Sequence, residues 1–266
     1  MDVHVRHVTR YAFDVPPARA LQQVRLVPLS CSLQTVTSWS LTLTGGTEQV
    51  AWRDQHGNNV GLISLDPGAS ELELINEGLV TTLDRAGVLG PAHGPAPLWL
   101  YTTPTPLTRA GRRLQSLVSR LDAPPEDAIA RLHALAHLIE DTVTYDTDSS
   151  HAATTAEEAL AEGRGVCQDH AHIFIAAARR LGYPARYISG YMIMNGQVDQ
   201  EASHAWAEVY LDGLGWVGFD VANRISPDER YVRVACGRDY AEAAPVRGLA
   251  FGDVAESMEI KLQVQQ

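Results

Sequence analysis

Two stretches decide the fold: GRGVCQDHAHIFIAAARRLGYPARYISGY at residues 163–191 and SHAWAEVYLDGLGWVGFD at residues 203–220. Within the first, residues 166–181 are apolar almost all round, the pattern of a buried helix. The flexible Gly163-Arg164-Gly165 precedes that helix. Arg179 and Arg180 suit its last turn, Gly182 its C-terminal cap, and Pro184 blocks continuation. Strand-like runs then fall at residues 185–194, 204–211 and 216–220, with the turn signals Asn195-Gly196 and Asp212-Gly213 between them. One buried helix followed by an antiparallel meander is an α+β arrangement.

Working outward, the segment before residue 163 reads as further helices. Thr108 is expected to cap a helix running toward Leu121, and Pro124-Pro125 to open another with Glu126 and Asp127 in its first turn. Ile129, Leu132, Leu135, Ala136 and Ile139 would form its apolar face. Residues 143–146 look extended, and Thr154-Thr155-Ala156-Glu157-Glu158 resembles a helix start with a Thr cap and acids in the first turn. Residues 87–106 hold five prolines and three glycines, as expected of a linker or an irregular crossing segment. The first eighty-odd residues read as β: residues 3–8, 38–44 and 71–74 alternate with period two, and Gly45-Gly46 and residues 54–59 are turn clusters. His56 and His93 sit in polar, Gly-rich surroundings and are expected to be solvated. This predicts a small β-rich domain over residues 1–100 and a second, catalytic domain over residues 101–266.

The chemistry concentrates at three residues. Cys167 falls at the start of the buried helix. A helix N-terminus presents unpaired N–H groups and about half a positive charge, which favour a thiolate and can cradle an oxyanion. The neighbouring glycines let a substrate backbone approach. A thiolate nucleophile works with an imidazole, and the imidazole with a group that fixes its tautomer. His204 opens one strand and Asp220 ends the next. If a hairpin with an odd-length loop joins those strands, both side chains face the same side as opposite or diagonal neighbours. Gln168 is a candidate oxyanion donor and Trp206 a candidate groove residue, although strand aromatics are more often core.

The two blocks quoted above resemble the transglutaminase-like core of the bacterial transglutaminase-like cysteine peptidases. The segment GRDYAEAAPVRG at residues 237–248 is similar to that family too. So is HVTRYAFDVPPARALQQVRLVP at residues 7–28, which resembles its N-terminal β domain. The resemblance implies a papain-like fold and a Cys-His-Asp triad, which falls on Cys167, His204 and Asp220. The family commonly continues its last motif as Asp-Pro-Thr-Asn, where this chain has Asp220-Val221-Ala222-Asn223. The missing proline puts the tightness of that loop in question.

Composition narrows the partners. The formal net charge of −11, with Lys261 as the only lysine, disfavours nucleic acid and anionic lipid. No apolar run is long enough for a transmembrane helix, and the first residues lack a secretory pattern, so a cytoplasmic location is expected. Three widely spaced cysteines suit neither a disulfide framework nor a four-ligand zinc site. His170 and His172 point in different directions along a helix, so no metal and no cofactor is expected. Arg238 and Asp239 are candidates for a structural ion pair. The substrate is expected to be a protein or peptide. Hydrolysis of a peptide or isopeptide bond, acyl transfer to an amine, and a non-catalytic peptide-binding module of the same fold all remain open at the sequence level.

Overall fold

The computed structural model of the protein describes all residues except 92, 93, 125, 195, 201 and 252–254. His93, Pro125 and Asn195 therefore lie outside the described residues. The chain begins with β1 (Asp2–Phe13), β2 (Arg19–Val24), β3 (Gln34–Thr44), β4 (Gly46–Arg53), β5 (Asn59–Leu65), β6 (Glu71–Thr82) and β7 (Val88–Gly90). A 3-10 turn (Leu98–Thr102) leads to α1 (Arg112–Ser119) and α2 (Ala128–Thr142). Next come β8 (Thr144–Tyr145), α3 (Ala156–Glu162), β9 (Arg164–Gly165) and α4 (Cys167–Arg180). The rest is β10 (Ala185–Met192), β11 (Asp199–Gln200), β12 (His204–Leu211), β13 (Gly215–Phe219), β14 (Tyr231–Gly237), α5 (Tyr240–Ala243), β15 (Val246–Phe251) and β16 (Glu256–Gln265).

Helix α4 and the sheet β14-β10-β12-β13-β7 form the centre of the fold. Every residue of α4 from Asp169 to Arg179 is buried, so the absence of a polar face in the sequence is answered by packing on all sides. Ile173, Phe174, Ala177, Ala205, Ala207, Val209 and Phe219 share one core with Leu132, Leu135 and Ile139 of α2. The helix ends as its sequence demands. Gly182 takes φ 93. Its N–H donates to Arg179 O at 3.0 Å, and Tyr183 N–H donates to Ala178 O at 3.0 Å, the two bonds of a Schellman cap. Arg179 is buried and anchored: Nε donates to Tyr101 O, Nη1 to Thr108 Oγ1, and Nη2 to Ala185 O and Arg238 O.

The β-rich start pairs as sheets β11-β16-β1-β6-β3 and β15-β2-β5-β4. Alternation in β1 buries Val3, Val5, His7, Thr9, Tyr11 and Phe13. Tyr11, Phe13, Val24, Ile63, Leu72 and Leu74 fill the space between the two sheets. Val3, Val5, Val80, Leu262 and Val264 pack on Tyr191, Val232 and Val234 of the central sheet. Sheet membership does not divide at one point of the chain: β15 and β16 return to pair with β2 and β1, and β7 joins β13.

Several local expectations are corrected. Thr108 does not cap α1; it closes a turn with Thr105 and receives Arg179. The N-terminus of α1 is capped from a distance by Glu157, whose Oε1 accepts from Gly111 N and Leu114 N at 2.8 Å each. Helix α2 starts later than its prolines suggest, with Asp127 as the cap accepting from Ala130 N. Among the described residues of 87–106, an irregular crossing as expected, Leu89, Ala96, Tyr101 and Thr105 are buried and Trp99 is exposed. His56 is 4% exposed rather than solvated. Its Nδ1 lies 3.0 Å from Tyr101 Oη and its Nε2 2.9 Å from Glu242 Oε2, because the 3-10 turn and α5 cover the β4–β5 turn. Arg238 pairs with Glu242 rather than Asp239, and Asp239 Oδ1 caps α5 by accepting from Glu242 N.

Candidate active site

Cys167 is the first residue of α4 and is partly exposed. The helix start is fixed by Asp169, whose Oδ2 accepts from Val166 N at 2.8 Å and from Ser150 Oγ at 2.6 Å. Gly165 is required there: a Cβ would fall 2.7 Å from Asp169 Cβ. As the first two residues of the helix, Cys167 and Gln168 have N–H groups without intrahelical acceptors. The Gln168 side chain points Nε2 at Ala152 O across 3.5 Å, the outer limit of a hydrogen bond.

Strands β12 and β13 bring the imidazole and the carboxylate together. The register Ala207↔Phe219 to Leu211↔Gly215 leaves residues 212–214 as the loop, an odd length. His204 and Asp220 therefore share a face as diagonal neighbours, and His204 Nε2 lies 2.6 Å from Asp220 Oδ2. The Cys167 side chain also favours the charge on this imidazole, and because Asp220 engages Nε2, Nδ1 is the nitrogen left for a thiol. Trp206, 3% exposed, stacks on the His204 ring at 6.2 Å and 27°. It backs the imidazole rather than opening to solvent.

Burial opposes a charge on His204. The Asp220 charge and hydrogen bond outweigh it, Cys167 adds to them, and the His204 pKa is pushed up from 6.5 to about 10. Burial also opposes the charge on Asp220. The His204 charge and the hydrogen bonds from His204, Asn223 and Tyr231 overcome it and hold the carboxyl below its ordinary range.

The Asp220 loop is tight without its proline. Asp220 N donates to Ile225 O at 2.8 Å and Ile225 N to Asp220 O at 3.1 Å. Arg224 takes the left-handed φ of 56° that the turn requires and reaches Glu140 and Asp141. Asn223 Nδ2 donates to Asp220 Oδ2 at 2.7 Å. Side-chain and backbone bonds thus replace the ring constraint.

A groove of about 540 Å³ opens beside His204, lined by Tyr145, Met192, Ile193, Met194, Ile225 and Arg230 among others. Sequence reasoning did not find these residues, nor Tyr231, whose hydroxyl donates to Asp220 Oδ2 at 2.7 Å. Nothing in the local pattern separates Tyr231 from other strand aromatics. The histidines nearest the thiol in sequence are engaged elsewhere. Both His170 ring nitrogens face carbonyl oxygens, of Val166 and Val143. His172 Nε2 accepts from Tyr240 N, and its burial pushes its pKa down to about 3. Among the described residues, no helix is long and apolar enough to cross a membrane.

Residues 115–221 match the model of the transglutaminase-like superfamily, and residues 3–81 match that of the bacterial transglutaminase-like N-terminal region. The fold is similar to the crystal structure of a candidate cysteine protease from Cytophaga hutchinsonii, with a TM-score of 0.79 and 22% identity, covering 100% of this chain and 91% of that one. An uncharacterized protein of Mycobacterium leprae (strain TN) is 26% identical over 98% of both chains. An uncharacterized protein of Mycobacterium tuberculosis (strain H37Rv) is 34% identical over 51% of this chain and 46% of its own length, so the match spans about half of each. With the core and the N-terminal region both matched, this chain belongs to the transglutaminase-like superfamily, in its bacterial form.

Proposed function

We propose that the protein is a peptidase or amidase that cleaves peptide or isopeptide bonds through a Cys167 acyl-enzyme. The reading rests on one observation: a buried imidazole 2.6 Å from a carboxylate, with its charge favoured by a thiol at a helix N-terminus. With its pKa near 10, His204 carries its proton at neutral pH and can stabilise the Cys167 thiolate as an ion pair. The sulfur attacks the carbonyl carbon, and the N–H groups of Cys167 and Gln168 are suited to receive the oxyanion. The tetrahedral intermediate expels the amine as His204 gives it the proton, leaving a thioester. A water then loses its proton to His204 and attacks the thioester, which releases the carboxylic acid and restores the thiolate–imidazolium pair. Asp220 keeps the imidazole oriented throughout.

Water is favoured over an amine as acceptor because the groove beside His204 is open, with Tyr145 50% exposed at its wall. Amine transfer depends on excluding water. The test is to incubate the protein with a peptide mixture and a labelled primary amine in ¹⁸O-water, with mass spectrometry as the readout. The expected products are new carboxyl termini carrying ¹⁸O, absent with Cys167→Ala. Amine incorporation in place of ¹⁸O would make the protein a transamidase. Full activity in Cys167→Ala would overturn the nucleophile assignment.

A further inference from the structure

Tyr231 is buried at the start of β14, which is separated from β13 by β10 and β12 in the sheet. Its hydroxyl nevertheless reaches Asp220. The ring passes edge-on to Trp206 at 5.4 Å and 83°, and tilts toward His204 at 5.9 Å. Asp220 Oδ2 thereby accepts from three donors: His204 Nε2 at 2.6 Å, Asn223 Nδ2 at 2.7 Å and Tyr231 Oη at 2.7 Å. Oδ1 accepts from Asn223 N at 3.3 Å. Such a lopsided donor set decides which oxygen faces the imidazole. It also compensates a carboxylate charge that burial alone would disfavour.

The other charges around the Tyr231 ring are paired with one another. Arg230 binds Asp228, and Glu208 lies between Arg186 and Arg233. Asn223 is exposed, so water competes with its amide, whereas the phenol is shielded. Taking the Cys167–His204–Asp220 reading above as its basis, we infer that Tyr231 is a positioning residue: its hydroxyl locks the Asp220 carboxylate in the orientation that turns the second nitrogen of His204 toward Cys167.

The substrate is unidentified, so the test reads the thiol directly. The rate of Cys167 alkylation by iodoacetamide is measured against pH on the full chain, alongside the melting temperature. Without the phenol donor, the carboxylate charge is less dispersed and the ring less fixed. Both weaken the imidazolium's hold on the thiolate. Tyr231→Phe is expected to move the acid limb of the rate profile up by about one pH unit and to lower the plateau about three- to tenfold, the loss of one donor to a charged group. A purely structural tyrosine would change the melting temperature and leave the limb in place. Should Tyr231→Phe fail to fold, 3,5-difluorotyrosine at position 231, a stronger donor, is expected to move the limb down. A profile that neither variant moves, in a protein whose limb rises toward the ordinary thiol range with His204→Ala, overturns the role of Tyr231 and leaves the proposed function standing. A wild-type profile indifferent to His204→Ala overturns both.

Discussion

Asp220 has no exposure to water, yet its pKa is held low while that of His204 is pushed up to about 10. These shifts make the pair a stability element as well as a chemical one. The folded pKa of His204 lies above its ordinary 6.5, so its contribution to stability is complete below pH 6.5 and fades as pH rises toward 10. Asp220→Asn removes the charge that sustains it. In urea titrations, the gap in unfolding free energy between wild type and Asp220→Asn is expected to narrow from pH 6.5 to pH 10. A gap constant across that range would mean the ion pair does not carry it. On the proposed activity, the same substitution removes the negative charge that sustains the imidazolium and adds an NH2 donor where three donors already converge, and a rate fall of roughly a hundredfold or more is expected.

Helix ends carry the next level of control. Thr155 and Glu158 form a capping box for α3, legible in the sequence because every participant lies within four positions. The cap of α1 is different: Glu157 supplies it from α3, across 46 residues from Gly111. A Cβ on Gly111 would fall 2.5 Å from the Glu157 carboxyl carbon, so the glycine makes room for its cap. Glu157→Ala orphans the N–H groups of Gly111 and Leu114 together. It is expected to cost about 1–2 kcal/mol in thermal unfolding, the upper end for a single cap. A loss no larger than that of an ordinary surface substitution would show that water replaces the carboxylate.

Across the whole molecule, buried histidines lie where elements meet: His7 between β1 and the central sheet, His172 between α4 and α5. His7 on β1 lies 2.8 Å from Tyr191 Oη on β10, and burial lowers its pKa to about 4. His172 in α4 is lowered to about 3, by burial first and by Arg179 second. Both folded values lie below 6.5, so the fold binds fewer protons than the unfolded chain. Their contribution is complete above pH 6.5 and is lost as pH falls through about 4 and about 3. Unfolding free energy is expected to fall by about 1.4 kcal/mol per pH unit for each histidine well below pH 6.5. Equilibrium unfolding of His7→Gln should have a shallower slope between pH 6 and 4; an unchanged slope would assign the acid lability elsewhere.

The sequence by itself determined what depends on neighbours along the chain. The all-apolar run of α4, the Gly182 cap, the Thr155 box and the odd loop after β12 are set by spacing and backbone preference, and so is the shared face of His204 and Asp220. Cys167 was legible as the thiol that follows a glycine pair at a helix start. Only the tertiary structure decided the contacts made between distant segments. It brought Tyr231 to Asp220, Glu157 to α1, and β16 back to β1. It also buried His56, whose polar surroundings in sequence signal a turn but say nothing of what packs over it. The physical reason is range: capping and pleat periodicity act over a few residues, whereas a buried polar group is satisfied by whichever segment the packed core places beside it.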